Sequence, residues 1–356
     1  MKNRIIMLMI IIFPIIIFNG CSNKENKQPE DNSNKNSIKI DDAILAEEKE
    51  KSFYELFSLS KGKKHSLEKI EGLIDFKYDI FSQVKLQLIF VDKGNNLIKN
   101  KLVVDTLKGK NSIEDLYSII DFKLSPHGKY IAYRGYKKDN MESIDDLKFY
   151  NVEKGDSISI NSNVVISGDM YEFKDESTLI YYGVNPKDRI QGIYEYDIED
   201  KSERVVYEVK NEYLTHLSYI KKDLYLVLQD DLKELKLSLI DLNTKTNTII
   251  SSEVEKIFDS HVIEDTLYFI GKFKSEELAV YKYKDGVLKR LTYGFPNVVY
   301  EKSYLSSDKD GNLYFIGYED HEDVRDVYSI KKDDSVNLIS NRSAKYLIYK
   351  NTSYLE

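Results

Sequence analysis

Leu267-Tyr-Phe-Ile270 is followed, after a polar stretch, by Leu278-Ala-Val-Tyr-Lys-Tyr283 and then by the turn residues Lys284-Asp-Gly286. The same order of two apolar strands and a polar turn occurs along most of the chain. Asn, Asp and Gly tolerate the positive φ angles that tight hairpin turns require. Alternating apolar and polar residues are typical of strands with one covered face. The pattern therefore predicts a domain of short antiparallel strands.

The second apolar strand of each unit gives the period of the repeat. Its copies start 46, 44, 41 and 49 residues apart. A period of about 40–50 residues with four short strands per unit is typical of β-propeller blades. The five copies are Leu147–Val152, Ile193–Ile198, Leu237–Leu242, Leu278–Tyr283 and Val327–Ile330.

The repeat also predicts how many blades there are and how the ring closes. Residues 53–70 form a further hairpin without a partner in front of it, and Tyr346–Tyr349 form another strand at the C-terminal end. A blade built from both chain ends would leave no exposed sheet edge. We therefore expect an all-β propeller of seven four-stranded blades, with six blades as the alternative. The complete units are 71–117, 118–163, 164–211, 212–253, 254–295 and 296–341.

One motif resembles a known family. Leu124-Ser-Pro-His-Gly-Lys-Tyr-Ile-Ala-Tyr133 is similar to an element of TolB-like and dipeptidyl-peptidase-type propellers, and residues 308–315 are a looser version. His127 stands where that element usually has Asp. The resemblance implies the propeller fold, but a fold does not by itself imply a function.

The N-terminal segment predicts export. Lys2 and Arg4 precede the apolar run Ile5–Phe18, which is shorter than the roughly 20 residues of a membrane-spanning helix and matches a signal peptide. Phe18-Asn19-Gly20-Cys21 resembles the lipobox of bacterial lipoproteins, which implies cleavage before Cys21 and lipid on its thiol. Cys21 is the only cysteine in the chain. A plain signal anchor, or a secretory signal with an incidental cysteine, is the alternative.

We accordingly divide the chain into a signal peptide (residues 1–20), a lipidated cysteine with a flexible tether (21–51) and a propeller domain (52–356). The tether is rich in Lys, Asn, Glu and Asp and has too little apolar surface to fold alone, although residues 43–51 could become helical. The expected location is the extracytoplasmic face of the cell membrane, where the lipid on Cys21 holds a mature chain without a transmembrane helix.

The charge of the chain argues against nucleic acid as a partner. The formal net charge is −8, and removing residues 1–20 with Lys2 and Arg4 leaves it near −10. An acidic domain repels phosphate backbones.

No catalytic, cofactor-binding or metal-binding residues are predicted. The five histidines are too far apart in sequence for a metal pair of the HExxH type and are expected at turns and blade edges. Asp308, Asp310, Asn312 and Glu319 match part of a calcium-loop spacing, but Gly311 lies too early for such a loop, which favours an ordinary turn. The histidines are His65, His127, His216, His261 and His321.

Two functional hypotheses remain open from the sequence. The first is a non-enzymatic binding or scaffold module for a protein, peptide or envelope glycan on one ring face. The alternative is a glycosidase or lyase with its site in the central funnel. A serine peptidase is disfavoured because the chain lacks the G-x-S-x-G nucleophile motif. The tyrosine pairs Tyr181-Tyr182 and Tyr281/Tyr283 are expected to pack between blades rather than to bind a ligand.

Overall fold

The computed structural model describes residues 40–352 except 41, 61 and 221. Strands account for nearly all of the regular structure in this range, which contains no α-helix and only two short 3₁₀ turns, Pro126–Gly128 and Met141–Ser143. None of the helical segments described has the length and apolar character needed to cross a bilayer. The architecture is an all-β propeller of four-stranded blades, as the repeat predicts.

Four sheets contain four antiparallel strands each, and their bounds follow the predicted units closely. The first has β8 (Ser118–Leu124), β9 (Tyr130–Tyr136), β10 (Lys148–Asn151) and β11 (Asp156–Ser159). The second has β12 (Val165–Phe173), β13 (Thr178–Asn185), β14 (Ile190–Asp197) and β15 (Ser202–Glu208). The third has β16 (Glu212–Ile220), β17 (Asp223–Asp230), β18 (Leu235–Asp241) and β19 (Asn247–Ser251). The fourth has β20 (Val254–Ile263), β21 (Thr266–Phe273), β22 (Ala279–Lys284) and β23 (Val287–Arg290).

We call the strand of each blade that lies nearest the centre of the ring its inner strand, which is the first strand in the four blades above. A fifth sheet has five strands because its inner strand is split into two short pieces, which both pair with the next strand. Its members are β24 (Val298–Val299), β25 (Ser306–Ser307), β26 (Leu313–Tyr318), β27 (Asp326–Ile330) and β28 (Val336–Leu338).

The remaining eight strands form one continuous sheet in the order β3-β2-β1-β29-β4-β5-β6-β7. Its first half has β1 (Ala43–Glu50), β2 (Phe53–Ser60), β3 (Lys63–Glu71) and the C-terminal β29 (Tyr346–Asn351). Its second half has β4 (Leu73–Tyr78), β5 (Lys85–Lys93), β6 (Ile98–Thr106) and β7 (Gly109–Ile113). The predicted pairing of the two chain ends is present, since β29 is antiparallel to β1.

This eight-stranded sheet shows that the prediction of seven, or six, separate blades is wrong, since five blades stand alone. The strands expected to form two more are hydrogen-bonded into one sheet. The connection is short and parallel, and it pairs Lys350 with Lys77 and Asn351 with Tyr78. The sequence could not predict it because it joins residues that are far apart along the chain.

The predicted start of the propeller domain at residue 52 is too late. Residues 43–50, which were assigned to the tether and considered as a helix, form strand β1, and Ala43–Ala46 are completely buried in it. Cys21 and the rest of the predicted tether up to residue 39 lie outside the described residues.

Polar contacts hold strand β1 in the continuous sheet. The buried Glu47 carboxylate of β1 accepts a hydrogen bond from Arg342. It also forms an ion pair with Lys49, whose Nζ lies 2.8 Å from Glu47 Oε1. The buried Tyr78 hydroxyl accepts from the Ile44 backbone N–H at 3.0 Å. Because a buried polar group is costly unless it is paired, these contacts favour one closed arrangement.

The apolar cores lie between neighbouring strand groups. One core, for example, joins Leu86 and Leu102 to Phe122 and Ile131, and another joins Leu45 and Ile348 to Ile316. Large aromatic side chains fill much of this space, which explains the many tyrosines. The predicted packing role of Tyr181, Tyr182, Tyr281 and Tyr283 is confirmed, because all four are buried in such cores.

The strand order gives the ring two different faces. In each four-stranded blade, the loop between the second and third strands lies on one side of the ring. The link to the next blade lies on the same side, which we call the loop face. The turns between first and second strands, and between third and fourth strands, lie on the other side, which we call the turn face.

Candidate functional site

The inner strands carry the polar side chains at the centre of the ring. Their C-terminal ends surround a cavity of about 70 Å³ near the turn face. A cavity needs roughly 10–15 Å³ to hold one water molecule. This cavity therefore has room for a few water molecules or for a small ligand group. Six of the inner strands, β4, β8, β12, β16, β20 and β29, line the cavity. Its polar lining includes Lys77, Lys123, Glu172, Ser218, Ser260, Lys350, Asn351 and Thr352.

Three lysines meet at this cavity, and each is held by a different partner. Lys77 Nζ donates to the backbone oxygen of Phe122 at 2.8 Å. Lys123 Nζ donates to Glu172 Oε2 at 3.1 Å. Lys350 Nζ donates to the Ser260 backbone oxygen at 2.7 Å and to Asp259 Oδ1 at 3.2 Å.

Burial and neighbouring charges shift the pKa values of these groups in different directions. Burial lowers the pKa of Lys77, and the charges of Lys123 and Lys350 lower it further against the pull of Asp75. Burial raises the pKa of Asp75 despite the Lys77 ammonium, whose Nζ lies 3.8 Å from Asp75 Oδ2. Burial also opposes the charge of Glu172, but Lys123, Lys350 and Lys77 together outweigh it and hold the pKa of this carboxyl below its usual value.

Two histidines lie at the centre rather than at turns or edges, which corrects the expectation for His216 and His261. His216 Nε2 lies 2.9 Å from Ser218 Oγ and 3.2 Å from Ser260 Oγ. Burial and the nearby lysines lower the pKa of His216 to about 3, and burial likewise lowers the pKa of His261 to about 3. Both rings are therefore neutral at pH 7, and His216 is too weak a base to activate a serine efficiently.

The partial calcium spacing forms an ordinary turn. Asp308 Oδ1 accepts from the backbone N–H groups of Asp310 and Asn312 at 3.0 and 2.9 Å. Its second oxygen accepts from Asn312 Nδ2 at 2.9 Å and from the Tyr314 hydroxyl at 2.8 Å. Glu319 does not join them, since it accepts from Tyr328 at 3.2 Å. Within the described ranges, no three acidic, histidine or cysteine side chains are grouped as metal ligands would be.

Exposed apolar side chains are concentrated on the loop face. Among the described residues, 19 large apolar side chains are exposed, and 14 of them lie on loop-face segments or strand ends. Three lie on the turn face, at Phe81, Leu107 and Val287, and two lie on outer strands, at Ile249 and Leu338. The 14 are Ile74, Phe90, Val91, Ile98, Ile120, Met141, Ile144, Val165, Val184, Tyr213, Leu232, Tyr293, Phe295 and Val324.

Four of the loops on this face are acidic. The segments 137–147, 231–234, 274–278 and 319–325 each contain more carboxylates than basic side chains. The loop face thus combines apolar surface with negative charge, which is a combination suited to a partner with apolar and basic side chains.

The sequence did not reveal the three cavity lysines, although one signal was present. Ile74-Asp-Phe-Lys77 and Ile120-Asp-Phe-Lys123 are the same tetrapeptide, one blade period apart. The repetition places both lysines at equivalent points of adjacent inner strands. Lys350 has no such signal because it lies on the strand that the C-terminal end adds.

Comparison with solved structures supports the fold. The β-propeller domain of the Trilobed protease from Pyrococcus furiosus is similar with a TM-score of 0.55 and 16% identity, covering 76% of this chain and 84% of that one. Porphyromonas gingivalis dipeptidyl peptidase 4 gives a TM-score of 0.54 and 11% identity, covering 86% of this chain and 53% of that one. TolB from Acinetobacter baumannii is similar with a TM-score of only 0.45 and 11% identity, covering 83% of this chain and 78% of that one, and adds nothing to this support.

Other comparisons give no match. No protein-family model matches this sequence, and no curated protein matches it. At identities this low, similarity to solved structures shows the fold alone. The described part of the chain is therefore a β-propeller domain with the fold of the propellers in dipeptidyl-peptidase-type proteins.

Proposed function

We propose that this chain is a non-enzymatic binding or scaffold module, anchored at the extracytoplasmic face of the cell membrane by lipid on Cys21, and that its loop face docks a partner protein. The observation that carries the proposal is the concentration of exposed apolar side chains on that face. Leu232, Tyr293 and Val165 are 82%, 73% and 66% exposed. Large exposed apolar surface on a soluble domain is typical of a site of interaction.

The choice of a protein, among a protein, a peptide and an envelope glycan, follows from the chemistry of the face. Aliphatic side chains outnumber aromatic ones there, whereas sugar rings are typically recognised by stacking on aromatic rings. The acidic loops 137–147 and 319–325 favour a partner whose apolar patch is surrounded by Lys and Arg.

The central cavity supports a binding role over the alternative of a glycosidase. Glycoside hydrolysis generally needs two carboxyl groups that exchange protons across the scissile bond. Among the described residues that line the cavity, Glu172 is the one carboxylate, and it is bound to Lys123. His216 is a weak base for the reasons given above.

Photo-crosslinking in intact cells tests the docking face. A photoreactive amino acid is placed at Tyr213 or Tyr293 on the loop face, and at Leu107 or Val287 on the turn face as a matched control. We expect one dominant protein adduct from the two loop-face positions and none from the controls. Equal capture from both faces, or release of sugar products from polysaccharide by the purified protein, would overturn the proposal.

Membrane fractionation tests the anchor separately. The Cys21→Ser variant should move from the membrane fraction to the soluble fraction, since the thiol that carries the lipid is gone. If the variant stays firmly in the membrane fraction, the lipid anchor is wrong, whatever the crosslinking shows.

A further inference from the structure

We propose that the central cavity is a binding site for a small carboxylate, formed by Lys77, Lys123 and Lys350. This goes beyond the proposed docking function, because the cavity lies near the turn face and the docking surface is the loop face. The two proposals can therefore fail independently.

The first argument is the hydrogen-bonding capacity of the lysines. An ammonium group has three N–H donors. Among the described residues, Lys77 and Lys123 each use one donor in a hydrogen bond, and Lys350 uses two. Lys77 Nζ also lies 4.6 Å from the centre of the Phe122 ring and 3.8 Å from Asp75 Oδ2. The three ammonium groups still have N–H donors available for water or a ligand, and the Ser218 and Ser260 hydroxyls and the Asn351 amide line the same cavity.

The second argument is that the protein already stabilises one carboxylate here. Glu172 is partly buried and yet its carboxyl is held in the ionised form by all three lysines. An environment that favours the ionised form of a side-chain carboxylate also favours the carboxylate of a ligand, because the interaction is with the same charge.

The third argument is that Lys77 has the longest ion pair of the three lysines. Its nearest carboxylate oxygen, on Asp75, lies 3.8 Å away, and that oxygen accepts a hydrogen bond from the Tyr304 hydroxyl at 3.3 Å. Lys123 and Lys350, in contrast, contact carboxylate oxygens at 3.1 and 3.2 Å. An incoming carboxylate would give Lys77 a closer ionic partner than Asp75.

Solvent reaches the site, and its size limits the ligand. The side chains of Lys77, Lys123 and Lys350 are 13%, 24% and 20% exposed. A cavity of about 70 Å³ accepts a carboxylate with a few attached atoms. The carboxylate could belong to a free organic acid or to the C-terminus of a peptide.

Calorimetric titration of the purified protein at constant ionic strength tests the site. The probes are succinate, a tetrapeptide with a free C-terminal carboxylate, the same peptide as its amide, and inorganic phosphate. We expect saturable binding of succinate if the natural ligand is a free organic acid, or of the free-acid peptide if it is a peptide C-terminus. The peptide amide and phosphate should bind at least tenfold more weakly than that carboxylate. Absence of carboxylate binding, or tighter binding of phosphate, would overturn the proposal.

Variants locate the site. Lys77→Gln and Lys350→Gln should each weaken carboxylate binding at least tenfold. Lys282→Gln is the matched control, because Lys282 is similarly buried and ion-paired with Asp334 on an outer part of the propeller. Equal weakening by the control would overturn the assignment.

A measurement on the unmodified chain covers the case in which a variant does not fold. The bound carboxylate should slow reductive methylation of Lys77 several-fold by mass spectrometry and leave Lys282 unaffected. Unchanged methylation of Lys77 under saturating carboxylate would contradict the proposed site.

Discussion

The two faces of the ring use their side chains differently. Asp side chains hold the backbone on both faces: Asp308 Oδ1 and Asp241 Oδ1 on the turn face, and Asp139 Oδ1 and Asp230 Oδ1 on the loop face, each accept two backbone N–H groups. The loop face in addition exposes apolar side chains such as Tyr213 and Leu232. The comparison teaches that the turn-face Asp residues serve the fold alone, whereas the loop face also carries apolar side chains that remain available for a partner.

The difference between the two faces depends on a stably folded ring. The largest expected effect is therefore the loss of stability caused by a substitution in the core of the ring. Leu45 on β1 is completely buried against Ile316 and Ile348. Leu45→Ala should lower the free energy of unfolding by about 3 kcal/mol, within the usual range for a buried leucine. Chemical denaturation measures this, with the exposed Ile249→Ala as control. A loss no larger than that of the control would show that β1 is not part of the folded ring.

The next largest effect should separate the two faces directly. Tyr213→Glu combined with Tyr293→Glu should weaken partner binding at least 100-fold, because charged groups would replace two of the large exposed apolar side chains on the docking face. Leu107→Glu combined with Val287→Glu, at similarly exposed turn-face positions, should leave the affinity unchanged. Surface plasmon resonance with the captured partner measures both. Equal losses from the two pairs would remove the distinction between the faces.

The buried histidines between the faces predict a dependence of stability on pH. Their folded-state pKa values of about 3 lie below the unfolded value of about 6.5, so the unfolded chain binds more protons in this window. Stability should therefore fall as the pH decreases from about 6.5 towards 3, by about 2 kcal/mol per histidine between pH 7 and pH 5.

Urea denaturation as a function of pH measures this effect. Replacing His216 and His261 by Gln should flatten the profile, and His321→Gln at an exposed loop is the control. An unchanged slope in the double variant would show that these rings are not buried in their neutral form.

A smaller effect should come from a turn-face side chain. Asp308→Ala removes four accepted hydrogen bonds, including that of the buried Tyr314 hydroxyl, and should cost about 1.5 kcal/mol of stability. Binding of the partner by the folded fraction should not change. Asp310→Ala, in the same turn, is the control, and thermal unfolding with a binding assay measures both. Loss of binding by folded Asp308→Ala would make the turn face part of the interface.

The sequence contains enough local information to predict most of the strands. Strand patterning and turn residues recur within each unit, so the bounds of groups such as β16–β19 follow closely from the predicted unit 212–253. Local patterns fail at the closure. Ala43–Glu50 is half apolar and half charged, and its burial depends on β29, which lies some 300 residues away in sequence.

The candidate sites could be predicted only in part. The alternation of apolar and polar residues indicates which residues of a strand lie on the same side of the sheet. It does not predict whether Lys77 or His216 lies at the centre of the ring. Only the ring places Lys350 beside Lys77. The partial calcium spacing shows the opposite error, because an Asp–Asn pattern that organises a turn looks like a set of metal ligands.

Hydrogen–deuterium exchange of the isolated complex tests the unequal use of the two faces most directly. The partner captured by crosslinking is purified with the chain, and exchange is compared with that of the free protein. We expect protection at loop-face segments 231–234, 274–278 and 319–325, and no change at turn-face segments 107–110 and 242–246. Protection of the turn-face segments, with the loop face unchanged, would contradict the account.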